Sequence, residues 1–277
     1  MFSELLHRVW LQMPSTLRLW TYRKLCKLGK YLYGQANQFG GSQRLPCGLF
    51  MKFGHIERGP DFENEFRALQ LVRSNTSIPV PRPIDLIKTS DESYFVMTTM
   101  PGQQLGEVFD NLGGSEKCCI TAQIADFVRQ VRSIRNPYLI EAGWLLCNAL
   151  GRGLIDIRLR DHDGGPFASE AAFNDALVPA AASSLRHIDG HEVYFAHGDL
   201  THTNILCKNG KISAVIDWEF AGWWPEYWDY TTVHRYERHE GWLNIMRGAF
   251  KKVTDLKKPY LKEIYIEEAC QEYDEIW

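Results

Sequence analysis

A chain of 277 residues can make one large domain or two modest lobes sharing a cleft. Its hydrophobic fraction of 45% is ordinary for a globular protein, and a net charge of −3 gives no global attraction to nucleic acid or to an anionic membrane. Seven cysteines are scattered without a C-x-x-C pair or other zinc spacing, only Cys118 and Cys119 being adjacent, which reads as reduced intracellular thiols. No run approaches the length of a membrane span, and Glu4, His7 and Arg8 interrupt the first apolar residues, so neither a span nor a secretory signal is read. The expected location is cytoplasmic.

Residues 1–34 read as two helices. Leu5, Leu6, Val9 and Trp10, then Leu17, Leu19, Trp20, Leu25 and Leu28, recur at roughly helical spacing, broken at Pro14 with Ser15 or Thr16 as the expected cap. The polar positions are basic: Arg8, Arg18, Arg23, Lys24, Lys27 and Lys30 against Glu4. Two readings are open. One is a membrane-surface helix pair. The favoured one is an extension that packs its Leu/Trp side on the body and leaves a solvated basic face.

From Gly34 the pattern turns to strands. Residues 43–45 and 49–53 read as a hairpin across Pro46-Cys47-Gly48, and alternation sends Lys52 to the face opposite Met51 and Phe53. A lysine there is either an edge-strand gatekeeper or a phosphate ligand. Asp61 to Ser74 is predicted as a helix capped by Asp61, with Phe62, Phe66, Leu69 and Val72 at helical spacing and Glu63 and Glu65 inside it. Ile78-Pro79-Val80-Pro81-Arg82-Pro83 cannot be helical, and leads to strands over 84–87 and 94–100 that end at Pro101-Gly102.

Glu116 to Ile134 is predicted as a helix burying Ile120, Ile124, Phe127, Val128 and Val131. Residues 154–160 alternate like a strand, followed by an Asp/Gly turn that lacks the glutamate of an EF-hand loop. A helix is expected over 170–177, and His187 and His191 read as surface residues or turn formers. The tail from Tyr230 is expected to be helical, with Trp242, Ile245, Met246 and Phe250 inward. Its acidic residues, Glu263, Glu267, Glu268, Glu272, Asp274 and Glu275, read mainly as a solvated face.

The most informative stretch is Tyr194 to Asp229. A short apolar strand delivers His197-Gly198-Asp199 into a loop, and Asn204 follows Asp199 after four residues. Two strands joined by Asn209-Gly210, a strong hairpin signal, then lead to Asp217. Any one of Asp199, Asn204 and Asp217 alone would read as a turn former. Together they bring a carboxylate base and hard oxygen ligands to one end of a hairpin, which is what phosphoryl transfer from a magnesium-bound nucleotide requires.

H-G-D-L-T-H-T-N followed by I-D-W-E, with A-G-W-W-P-E-Y-W-D after it, resembles the aminoglycoside phosphotransferase and choline kinase group of the protein-kinase-like superfamily, most closely its fungal members. The segment EFRALQLVRSNTSIPVP extends the likeness, which runs from about Tyr33. The resemblance implies an α+β, two-lobed fold: a helical extension (1–34), a nucleotide lobe (35–101) and a mainly helical lobe (102–277). It implies ATP and Mg2+ as cofactors, Asp199 as base, and Asn204 and Asp217 as metal ligands. Lys52 would be the phosphate ligand, held by Glu65 rather than Glu63.

Met97 would back the nucleotide pocket, with the backbone of Thr98 and Met100 meeting the adenine edge. Gly41-Ser42 would stand in for a glycine-rich loop that is otherwise weak. His197 and Asp229 would brace the catalytic loop. Glu219 would orient the metal ligand or approach the acceptor, His202 would face the acceptor phosphate or simply solvent, and Asp156, Arg158 and Phe167 would be contacts for a small-molecule acceptor. Trp223, Trp224, Trp228 and Trp242 read as core that could also suit a flat or cationic acceptor. The expected reaction is phosphorylation of a small-molecule hydroxyl. A protein Ser/Thr kinase is disfavoured by Gly198, by I-D-W-E and by the lack of an A-P-E segment, and a non-catalytic nucleotide-binding protein by the full set of site residues.

Overall fold

The computed structural model describes residues 4–36, 41–156, 159, 164–178, 185–236, 239–254 and 260–274. Strands β1 (Ser42–Leu45), β2 (Leu49–His55), β3 (Pro83–Lys88) and β4 (Glu92–Thr98) form an antiparallel sheet in the order β1-β2-β4-β3. The β1–β2 connection reverses in three residues because Cys47 (φ 62°) and Gly48 (φ 72°) both adopt left-handed backbone. Alternation then splits the sheet's side chains between two cores. Met51, Tyr94 and Val96 pack with Leu45, Leu49, Ile84 and Ile87 on one face, whereas Phe95 and Met97 join the core on the other, with Phe50 packed against it.

Helices α1 (Glu4–Leu11) and α2 (Ser15–Tyr33) cover the first face. The break at Pro14 is where the sequence places it, but neither Ser15 nor Thr16 caps: Pro14 itself is the N-cap and no side chain bonds there. α2 seats Leu19 and Tyr22 on the sheet, and comes so close that a Cβ on Gly29 would lie 2.1 Å from the Arg44 carbonyl oxygen. Arg18 pairs with Asp85, the Tyr22 hydroxyl donates to Asp85 Oδ2 (3.1 Å), and Trp10 Nε1 donates to the Tyr22 hydroxyl (2.6 Å). The packing expected of a single Leu/Trp side is therefore only half realised. Leu19 goes inward, but Leu17, Trp20 and Leu28 face outward, and two of the basic residues, Arg18 and Arg23, turn to carboxylates on the body.

α3 (Gly59–Asn75) covers the other face of the sheet, through Phe62, Ala68, Leu69 and Val72. It begins two residues earlier than Asp61, because Pro60 is suited to a first turn. Asp61 therefore is not the cap, and lies in that turn paired with Arg58 (2.8 Å).

The second lobe follows as β5 (Gln103–Gln104), α4 (Leu105–Val108), α5 (Gly114–Arg132), α6 (Pro137–Ala142), β6 (Cys147–Asn148), α7 (Glu170–Leu177), β7 (Val193–Ala196), β8 (Ile205–Lys208), β9 (Lys211–Val215), β10 (Gly222–Pro225), α8 (Trp228–Tyr236), α9 (Glu240–Thr254) and α10 (Leu261–Asp274). Two small sheets, β6-β10-β7 and β5-β8-β9, carry the loops of the site. α5 and α9 bury the residues their periodicity selects, and the fold is α+β with two lobes. Trp223, Trp224, Trp228 and Trp242 are wholly or almost wholly buried, so they are core.

Two expectations fail in this lobe. Leu154–Asp156 has no regular structure, although Leu154 and Leu159 are both buried; residues 157, 158 and 160 of the supposed strand and residues 161–163 of the turn lie outside the described residues. His187, Glu263 and Glu267 are buried rather than solvated, and His191 is nearly so. His187 Nε2 meets Glu267 Oε1 (3.1 Å), and His191 Nδ1 meets Glu170 Oε1 (2.8 Å), which ties α7 and α10 to the segment entering β7. Burying a carboxylate requires such a partner.

Candidate active site

β7 leads into the loop that holds Asp199. The amides of His197 and Gly198 donate to Asp229 Oδ2 (3.0 Å) and Oδ1 (2.8 Å) in the first turn of α8. His197 Nδ1 accepts the Asp199 amide (3.2 Å), so the ring proton sits on Nε2, which donates to the Ile216 carbonyl (3.0 Å). One buried histidine thus stitches the Asp199 loop to the segment that ends at Asp217. Gly198 (φ 86°) is required there: a Cβ would fall 2.3 Å from the Phe220 carbonyl oxygen, which leaves no space for an arginine.

The β8–β9 hairpin turns through Asn209 (φ 53°) and Gly210 (φ 70°), the paired left-handed residues of a type I′ turn. Before it, Asn204 Nδ2 donates to the Asp199 carbonyl oxygen (2.9 Å) and Oδ2 (2.8 Å), which commits the amide nitrogen and leaves Oδ1 as the atom able to ligate a cation. Beyond β9, Ile216 N donates to the Asn204 carbonyl (2.9 Å), and Asp217 takes a left-handed φ of 66°. That backbone is unfavourable for a residue with a Cβ and is held here by its surroundings.

Lys52 reaches across from β2. Its Nζ lies 2.7 Å from Glu65 Oε2, 2.6 Å from Asp217 Oδ1 and 3.8 Å from Glu219 Oε2. Glu65 is fully buried on α3, and its other oxygen accepts the Trp218 amide (3.3 Å). Burial pushes the Glu65 carboxyl up to about 7, against the pull of Lys52. Burial also raises Glu219 and Asp199, with Asp217 adding to each. Burial alone would lower Lys52, but Glu65, Asp217 and Glu219 outweigh it and hold the ammonium charged. Three carboxylates whose oxygens lie within 4.8 Å of one another share this one ammonium. With Asn204 beside Asp199, the donor set is all hard oxygen, which fits a divalent cation such as magnesium.

Lys52, Glu65, Asn204 and Asp217 border a cavity of about 640 Å³ between the lobes. Phe50, Met97, Leu206 and Ile216 give it apolar walls, and Thr98, Thr99 and Met100 line its inner edge. The Thr98 amide is already donated to the Arg82 carbonyl (3.0 Å), so an adenine edge would have to meet the Thr98 carbonyl and the Met100 backbone. Ser42 lines the cavity, while Gly41 (φ 83°) accepts the Phe53 amide (2.8 Å). Tyr33 and Gly34, at the end of α2, also line it, and the Arg44 guanidinium sits 4.5 Å from the Tyr33 ring centre.

Not every candidate gathers here. Glu219 does, bonded to Arg58 Nη2 (2.7 Å). His202 instead lies against Gly106 and the His239 ring, and Phe167 pairs with Leu146 and packs on Phe173 as framework. Asp156 is half-buried, its carbonyl accepting the Leu159 amide, and Arg158 lies outside the described residues. Three residues were missed. Arg58 and Asp61 flank Glu219, and buried Asn64 donates to the carbonyls of Glu219 (2.9 Å) and Ala221 (2.8 Å) while accepting the Ala149 amide (2.8 Å). Asn64 thereby fastens α3 to the second lobe. A polar residue next to Glu65, on a helix flanked by core positions, was its one signal.

The fold and this site define a two-lobed, kinase-like phosphotransferase architecture. A profile described as the phosphotransferase enzyme family matches residues 41–254, and the chain belongs to that family. It is 22% identical over 218 residues to an aminoglycoside 3'-phosphotransferase of Escherichia coli, covering 76% of this chain and 74% of that one. A Salmonella typhimurium protein of the same name is 24% identical over 177 residues, 61% of each chain. Among solved structures, aminoglycoside phosphotransferase APH(4)-Ia superposes with a TM-score of 0.58 at 13% identity, over 84% of this chain and 82% of that one. The streptomycin–ATP complex of APH(2")-IIa superposes with a TM-score of 0.57 at 12% identity, over 91% and 86%. A thermostable APH(4)-Ia variant similar to this chain (TM-score 0.58, 14% identity, 90% and 89% covered) was solved with AMP-PNP and hygromycin B.

Proposed function

We propose that the chain transfers the γ-phosphoryl group of ATP to a hydroxyl of a small molecule. The observation that carries this is the Lys52 ammonium held between Glu65 and Asp217 at the mouth of the interlobe cavity, with the Asp199–Asn204 pair beside it. Lys52, positioned by Glu65, binds the α/β-phosphates, while Met97 and the backbone of Thr98 and Met100 hold the base. Gly41-Ser42 lies over the phosphates, in the lobe we take as 35–101. Asp199 orients the acceptor hydroxyl and takes its proton as the new oxygen–phosphorus bond forms and ADP leaves. Asn204 and Asp217 would hold Mg2+, which when bound neutralises charge developing on the phosphates.

His197 and Asp229 act one step back, by fixing the Asp199 loop. Glu219, restrained by Arg58, stands closest to where a cationic acceptor would add contacts. The relatives that bind aminoglycosides put those compounds first in an acceptor panel, followed by choline-like amines, sugars and amino-alcohols. The reading includes a cytoplasmic setting, in keeping with the free thiols of Cys26, Cys47, Cys118, Cys119, Cys147 and Cys207. No helix among the described residues is long and apolar enough to cross a membrane.

The test is Asp199→Asn assayed for magnesium-dependent ATP turnover on that panel, beside nucleotide binding. Turnover is expected to fall by about 10³-fold or more with binding nearly unchanged. Retained turnover would remove Asp199 from the role of base. ATP binding by the unaltered protein without turnover on any acceptor, peptides included, would favour a non-catalytic protein.

A further inference from the structure

Helix α2 has two apolar faces. One is buried on the sheet through Leu19 and Tyr22. The other is formed by Leu17, Trp20, Leu28 and Tyr31, whose exposures are 45, 59, 46 and 86%. With exposed Lys24 between them, these positions follow the three- and four-residue steps of a single helix face, a stripe about 20 Å long. A contiguous run of large exposed apolar side chains marks an interaction surface.

Charge is segregated in the same place. Residues 1–34 carry six Lys/Arg against Glu4, a net of +5, and since the whole chain is −3 the remainder carries −8. α2 contains no acidic residue. Arg18 turns inward to Asp85 and exposed Arg23 pairs with Glu92, whereas Arg8, Lys24, Lys27 and Lys30 stand exposed, Lys24 on the stripe and Lys27 beside it.

We propose that this face docks the protein on an anionic lipid surface, with the Leu17–Trp20–Leu28–Tyr31 stripe entering the headgroup boundary and the lysines meeting lipid phosphates and carboxylates. Tryptophan and tyrosine favour that boundary, and basic residues flanking an apolar helix face are the pattern of helices that lie in it. Lys24, whose Nζ is 5.5 Å from the Trp20 ring centre, can run its aliphatic stem along the apolar stripe and lift its charge to the headgroups. A second copy is a poor occupant, because pairing two such faces sets Lys24 and Lys27 against their own like charges.

The experiment is co-sedimentation of the full chain with phosphatidylcholine vesicles with and without phosphatidylserine. Binding is expected only with phosphatidylserine and to weaken as salt rises. Lys24→Glu with Lys27→Glu should weaken it at least about twenty-five-fold, near fivefold per lysine. Trp20→Ser should weaken it about tenfold through lost apolar insertion. Both variants keep nucleotide binding, which reports the fold, since these side chains do not line the cavity. The proposal is overturned by no sedimentation, by equal sedimentation with phosphatidylcholine alone, or by undiminished binding of either variant. A concentration-dependent dimer that Trp20→Ser abolishes would overturn it too, by assigning the face to a second copy.

Discussion

Lys52 and Arg18 are both cations held against carboxylates, at opposite faces of the same small sheet, and they are built on opposite terms. Arg18 meets one carboxylate, Asp85, whose second oxygen accepts the Tyr22 hydroxyl, which in turn accepts the Trp10 indole N–H. Donors and acceptors close on themselves, and the pair sums to zero. Lys52 meets three carboxylates, and even with Arg58 at the far side of Glu219 the group keeps an excess of negative charge. Buried charge is costly unless balanced. The balanced pair is a fastener between α2 and the sheet; the unbalanced one is the group that, on the proposed function, a divalent cation would offset.

The comparison is sharpest where removal has the largest consequence. Asp199→Asn, beside the unbalanced group, should cost about 10³-fold or more in turnover, roughly 4 kcal/mol, while unfolding stability stays within about 1 kcal/mol of the parent. Arg18→Ala should do the reverse. It strands Asp85 without its cation and should lower unfolding stability by about 2–3 kcal/mol, with turnover changed less than about twofold. Denaturant unfolding and turnover measured on the same preparations decide the matter. If Arg18→Ala reduced turnover in step with stability, the two faces of the sheet would be one functional unit.

Much of the unbalanced site could be read from the sequence, because each of its two halves is close along the chain, although Lys52 and Asp217 are 165 residues apart. Asp199, Asn204 and Asp217 are ordered by a loop and a hairpin whose Asn209-Gly210 turn announces itself, and Lys52 is placed by strand alternation. Glu65 needed the family resemblance, since Glu63 sits on the same helix and pairs instead with Lys88 and Arg152. What escaped is long-range. Asn64 makes its bonds 85 to 157 residues away, and His187 finds Glu267 80 residues on, so no local pattern encodes either. α2 escaped differently. A helix with apolar residues on both faces gives a periodicity that does not say which face is inward, and the answer came from the apolar side of the sheet beneath it.

A smaller effect tests whether Lys52 is committed to the nucleotide. Lys52→Met should weaken ATP binding by about tenfold to thirtyfold, roughly 1.4–2 kcal/mol, and the same loss should appear with ADP if the contact is to the α/β-phosphates. Direct titration of both nucleotides measures it. Unchanged ADP affinity would move Lys52 off those phosphates and leave it as a partner of Asp217 alone.

The smallest effect probes the imbalance itself. Glu65 has an ordinary value of 4.5 that burial pushes up to about 7, against the pull of Lys52. Between those values the folded protein keeps a proton that the unfolded chain has lost, so stability falls as pH rises through that window. Glutamine at this position cannot ionise, yet offers a carbonyl oxygen to Lys52. Glu65→Gln should therefore flatten this part of the stability profile and compare best with the parent on the alkaline side of 7, even as it loosens the hold on Lys52. Saturating magnesium without nucleotide should flatten the parent's profile in the same direction, by supplying positive charge beside Asp217. A parent profile already flat in that window, or an equal slope in Glu65→Gln, would place the excess charge on the Glu219 side of the group, where Arg58 rather than Lys52 would be the partner that matters.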